Sequence, residues 1–141
     1  MRSASGTAGA VHVLRLQPGE DVRPLLEEWA QRNAIEAASI LSAVGSLTQA
    51  HIRYAGRADG IVSSGDLEVC SFSGTLSRHG VHLHVSVADR NGAMLGGHVL
   101  AGCIVRTTLE LVIGEVAGVS MVRTKDERTT YDELDPRPLA P

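Results

Sequence analysis

Aromatic side chains are scarce in this 141-residue chain: Trp29, Tyr54, Phe72 and Tyr131 supply only 3% of it. The core must therefore be built from Val, Ile, Leu and Ala, and such light packing favours burying further apolar area between subunits. Concentrated positive charge is missing as well. With a net charge of −3 and no run of Lys or Arg, the chain lacks the basic face of an autonomous nucleic-acid binder. Cysteine is limited to Cys70 and Cys103, each isolated in an apolar, strand-like segment where a free thiol behaves as a small buried hydrophobe, so both are expected reduced. Apolar runs of membrane-spanning length are absent, and Met1 to Ala10 is short, small and Gly/Ser-rich rather than signal-like. A cytoplasmic protein is expected.

What is present suits one domain, since 43% of the residues are hydrophobic and the length matches a single core. A strand is predicted over Val11 to Leu16, then a turn, then a helix from Asp21 to about Arg32. Leu25, Leu26, Trp29 and Ala30 give that helix its apolar spacing, and acids at its start suit the helix dipole. Two strands follow, from Ala37 to Gly45 and from Ala50 to Tyr54, with Gly45-Ser46 as a break. Asp59-Gly60 and Ser63 to Asp66 read as a loop. Leu67 to Leu76 then alternates as a half-buried strand with Glu68, Cys70 and Phe72 on one face. Val81 to Ala88, Gly97 to Val105 and Thr107 to Val116 supply three more strands. One helix-bearing stretch followed by antiparallel strands makes an α+β domain, a largely antiparallel sheet with one main helix packed on it. Residues 1–10 are expected to be flexible, 11–123 to form the domain, and 124–141 to be an exposed, charged, Pro-rich tail able to cross to a neighbour.

The chemistry concentrates in Val81-His82-Leu83-His84-Val85 and Gly96-Gly97-His98. Residues two apart on a strand share a face, so His82 and His84 point the same way. Between them and His98 lies Asp89-Arg90-Asn91-Gly92. A three-residue loop Arg90-Asn91-Gly92, with Gly92 in the left-handed conformation, pairs Asp89 with Ala93 and sets His84 opposite His98. Three imidazoles converging from two strands leave a coordination position open, the arrangement of a catalytic or ligand-binding metal rather than a closed structural one. The plain alternative is three solvated or hydrogen-bonded strand histidines.

If the metal is catalytic, Glu68 is the first candidate for a general base or for a carboxylate that orients the ion's ligands; Asp89 is a weaker one. A structural hydrogen bond is the competing role for Glu68. His51 and His79 read as solvated loop or strand-end residues, and His12 carries no functional claim.

In order and spacing, several segments resemble one known family. They are Pro18-Gly19-Glu20-Asp21, Leu41-Ser42-Ala43-Val44-Gly45-Ser46-Leu47, Leu67-Glu68-Val69-Cys70-Ser71-Phe72-Ser73-Gly74, His82-Leu83-His84, and Gly96-Gly97-His98-Val99-Leu100-Ala101-Gly102. The chain resembles, from about Val11 to Arg123, the plants-and-prokaryotes-conserved (PPC) domain, a family linked to DNA-binding AT-hook proteins. The resemblance implies an α+β subunit that assembles as a homotrimer, and a divalent metal, zinc foremost, on the histidines matching His82, His84 and His98. The biochemical role of the prokaryotic members is undefined. An Arg-Gly-Arg-Pro hook is missing here: the nearest segment, Ala55-Gly56-Arg57-Ala58, has one arginine and no proline. Arginines flanking a narrow turn are what reach into the minor groove, so direct DNA binding is not expected of this chain. The family also more usually has aliphatics where this strand has Cys70 and Phe72.

Three functions are thus distinguished. The first is a trimeric metal-binding domain that takes a small anionic or carbonyl ligand at the open histidine site. The second is a DNA-associated regulatory protein whose basic surface arises on assembly. The third is a metal-independent scaffold for another protein.

Overall fold

Alternating burial along extended segments organises the chain into a wound antiparallel sheet. The structure, a computed structural model, describes residues 1–139. In chain order the elements are β1 (Thr7–Leu16), α1 (Val22–Arg32), β2 (Ala38–Arg53), β3 (Ile61–Ser77), β4 (Gly80–Ala88), β5 (Met94–Val99), β6 (Ile104–Ala117), β7 (Val119–Lys125) and β8 (Asp132–Pro138). The main sheet runs β1-β6-β2-β3-β4-β5, and β7 pairs with β8 separately. β5 also returns to the end of β2, pairing Ile52 with Val99 and Arg53 with His98, so β2, β3, β4 and β5 close on themselves. Every residue of one parity on β4 (Val81, Leu83, Val85, Val87) is buried with Leu26 and Ala30 of α1, Ile52, Leu76 and Val99. The opposite parity faces out and carries the histidines. The α+β class expected from the sequence is what forms.

Several boundaries differ, each for a physical reason. Gly45 does not break a strand: β2 is continuous, and a Cβ at Gly45 would lie 2.1 Å from the Thr108 carbonyl oxygen, so glycine permits the close approach of β6. The expected loop at Ser63 to Asp66 belongs to β3. Gln49 pairs with Ser64 but Leu47 with Leu67, so a one-residue bulge near Gly65 absorbs the turn-like residues. The acids expected in the first helical turn precede the helix, and the Asp21 carboxylate accepts the Gly102 N–H at 2.7 Å instead of capping.

Both expected flexible ends carry structure. Thr7 and Ala8 pair with Ala117 and Val116. At the other end, Asp132–Pro138 folds back on β7 from Val119↔Pro138 to Lys125↔Asp132. Pro136 and Pro138 are tolerated because this small sheet leaves one side of β8 unpaired. Residues 140 and 141 of the expected tail lie outside the described residues.

Candidate metal centre

The β4–β5 hairpin builds the site. Gly92 adopts φ +79°, its N–H donates to the Asp89 carbonyl, and the Asp89 N–H donates to the Ala93 carbonyl, both at 2.9 Å. The Asp89 carboxylate accepts the N–H groups of Asn91 and Ala93 at 2.8 and 2.9 Å, so Asp89 fastens the turn. The pairing then runs without a slip from Ala88↔Met94 to His84↔His98. Gly96 and Gly97 insert no bulge. They allow close approach instead, for a Cβ at either would stand 2.7 Å from a carbonyl oxygen, of Val85 and Arg53 respectively.

The result is the expected cluster. One nitrogen from each of His82, His84 and His98 lies within 4.8 Å of the other two, and His82 Nε2 is 3.2 Å from His84 Nε2. Burial, reinforced by the neighbouring His84, lowers the proton affinity of His82. Burial, then His82 and the guanidiniums of Arg23 and Arg53, pushes His98 down to about 4. Nδ1 of His98 is buried without a partner among the described residues. Closely spaced imidazoles, of which His82 and His98 are reluctant to protonate, fit a divalent metal.

Beside the histidines lies an open cavity of about 560 Å³ that also takes in Arg23, Arg53, Arg123 and Tyr131. Arg23 Nη1 donates to the Val99 carbonyl at 2.8 Å and sits 3.2 Å from His98 Nε2. Arg53 is the β2 partner of His98. Arg123 donates through Nη2 to Thr75 Oγ1 at 3.0 Å, and Thr75 is the β3 partner of His82. Each arginine is therefore tied to a histidine of the cluster or its strand partner.

The sequence of the Plants and Prokaryotes Conserved (PCC) domain matches residues 3–117. The chain belongs to that family. A hypothetical protein of Salmonella enterica has the same fold, with 44% identity, a TM-score of 0.91, and 96% of this chain and 97% of that one covered. A metal-containing protein of Archaeoglobus fulgidus is 27% identical with a TM-score of 0.80, over 95% of this chain and 99% of its own. The bifunctional protein GlmU of Synechococcus sp. (strain JA-3-3Ab) is 42% identical over 124 residues, 88% of this chain but 20% of that protein. The chain spans about a fifth of the length of the GlmU relatives it matches.

Other residues singled out from this PCC-domain sequence fall elsewhere. Glu68, the candidate base, is exposed and pairs with Ala88, whereas Ser73 is the β3 partner of His84. At about 3.3 Å per residue that separates Glu68 from the histidine row by roughly 16 Å. The register shift between Val69 and Ser71 also parts Glu68 and Cys70, both exposed, from Phe72, which is buried. Cys103 is a buried free thiol as expected; Cys70 is free but exposed. His51 Nδ1 lies 2.7 Å from the Ala101 carbonyl oxygen. His79 lines the cavity 3.5 Å from Glu36. His12 pairs with Glu115 and packs edge-on against Trp29.

Arg23, Arg53 and Arg123 were not singled out from the sequence. They sit on α1, β2 and β7, isolated from one another along the chain, and no local spacing marks them. No helix among the described residues is long and apolar enough to cross a membrane.

Proposed function

We propose that this PCC-domain protein is a homotrimeric metal-binding domain that holds a divalent metal, zinc foremost, on His82, His84 and His98, and takes a small ligand at the position left open. What carries this reading is the convergence of three imidazole nitrogens within 4.8 Å on one hairpin. Three neutral nitrogen donors suit zinc and leave room for a further ligand, where the ion supplies Lewis acidity. A related fold in a metal-containing protein supports it. The chain's own contribution is to keep His82 and His98 unprotonated by burial and by neighbouring cations. Glu68 has no part in this proposal, because within the subunit it stands away from the cluster.

Assembly is supported by the outer face of β1, β6 and β2. Val11, Val13, Leu41 and Val44 are exposed there, Val13 to 79%. They are contiguous: Val13 pairs with Val112, which pairs with Ser42, while Leu41 lies against Gly114 beside Val11. A contiguous patch of exposed apolar side chains is best covered by a subunit. Sedimentation of the wild type and of V13K and L41K variants tests this: trimer for the wild type and smaller species for the variants are expected, and a monomeric wild type would overturn it.

Elemental analysis by plasma mass spectrometry on protein made without a metal-affinity tag tests the site. Near-stoichiometric metal, lost in His82→Ala, His84→Ala and His98→Ala, is expected. No metal even after incubation with zinc would overturn the reading.

A further inference from the structure

The cavity beside the histidines holds three guanidiniums, those of Arg23, Arg53 and Arg123, and three carboxylates, those of Glu27, Asp132 and Glu133. These charges balance. A divalent ion on the histidines leaves the cavity two positive charges in excess, in surroundings screened less than open water.

The arginines also differ in how far they are satisfied. Arg23 is held on both sides, by Glu27 at 2.9 Å and by the Val99 carbonyl. Arg123 has no carboxylate within ion-pair distance among the described residues, and its Nε is buried without a partner. Burial correspondingly lowers its proton affinity, against a weaker pull from Glu133. Arg53 Nη1 donates only a long bond of 3.3 Å to the Arg57 carbonyl, while its guanidinium lies 5.9 Å from the centre of the Tyr131 ring. A guanidinium has five N–H donors in a planar fork that matches carboxylate and phosphate oxygens. Arg53 and Arg123 therefore bring unused donors, with no carboxylate within ion-pair distance among the described residues, to the rim of the histidine cluster, one opposite His98 and the other bonded to the strand partner of His82.

We infer that the ligand of this site is a small organic dianion, with one oxyanion group at the open metal position and the other paired with Arg53 and Arg123. This rests on the metal reading above, which supplies the charge excess. Dicarboxylates and sulfocarboxylates share that chemistry. Val81, Leu100 and Ala101 on the cavity wall suit the carbon skeleton between the charged ends.

Zinc content and calorimetric titration together test it on the full chain. Zinc-loaded protein is titrated with succinate, with 3-sulfopropionate and with acetate, alongside Arg53→Ala and Arg123→Met. The expected result is binding of at least one dianion, about tenfold or more tighter than acetate and weakened by about tenfold or more in the variants at unchanged zinc content. Preference for succinate or for 3-sulfopropionate identifies the second oxyanion. Arg123→Lys guards against loss of folding: it keeps the charge and loses the fork, and an intermediate affinity is expected. Zinc uptake with no dianion binding, with acetate binding as tightly, or with Arg53→Ala and Arg123→Lys both indistinguishable from wild type would overturn this inference alone. Failure to take up zinc would overturn the metal reading, and this inference with it.

Discussion

The two walls of the cavity are made in opposite ways. The imidazole wall comes from one hairpin, in which the most distant members, His82 and His98, are joined by a single turn. The arginine wall draws on α1, β2 and β7, which meet only when the whole chain has folded. Alternation and one glycine turn place the first. The second needs β5 to close onto β2 and the β7–β8 hairpin to lie against the open end. The protein thus keeps its three imidazoles on a local, register-locked device and recruits its cationic groups from the tertiary structure.

Perturbing the strand pairing under the histidines should have the largest effect. A Cβ at Gly74 would lie 2.2 Å from the His82 carbonyl oxygen and 2.9 Å from Leu83 Cα. Gly74→Val must push β3 from β4, and a loss of about 3 kcal/mol or more in urea denaturation is expected, together with loss of zinc binding. Retained stability would mean that the hairpin does not depend on its fit to β3.

Separating the two faces of β4 is the next test. Leu83 is fully buried between two outward histidines. Leu83→Ala should cost about 2–5 kcal/mol of stability yet keep full zinc stoichiometry at saturation. His84→Ala should do the reverse, abolishing stoichiometric zinc at little cost to the metal-free fold. If the two variants behaved alike, the division between a structural and a chemical face would fail.

The smallest effect concerns how the end of the chain is fastened. Glu36 accepts the Ser120 hydroxyl at 2.5 Å and faces Arg78 and His79. These contacts, the Ser120 hydrogen bond foremost, hold its carboxyl below the usual carboxylate range. Because the folded chain binds that proton less readily than the unfolded one, the stabilisation is present at neutral pH and above, and is lost as pH falls through the carboxylate range. Glu36→Gln should therefore cost about 1 kcal/mol at pH 7 and progressively less towards pH 3, read from urea midpoints at each pH. A pH-independent difference would assign the effect to packing.

How far the sequence could be read depended on the range of the interaction involved. The three-residue turn, the register and the shared face of His82, His84 and His98 were legible because each rests on residues a few positions apart. The continuity of β2 through Gly45 was not, since it reflects the approach of Thr108 from far along the chain. Nor was the face of Glu68, because the shift between Val69 and Ser71 reverses the alternation that placed it with Phe72. The charged, Pro-bearing segment from Asp132 to Pro138 reads as tail because its pairing partner, not its own pattern, makes it a strand.

By itself the sequence determined a light aliphatic core, an antiparallel α+β chain and one hairpin carrying three imidazoles, all consequences of local alternation and turn chemistry. Only the tertiary structure decided which cations face that hairpin, which carboxylate stands away from it and where the chain ends are fastened. Side-chain alternation repeats every two residues and is written locally; the meeting of Arg23, Arg53 and Arg123 at one cavity is fixed by strand closure across the whole fold.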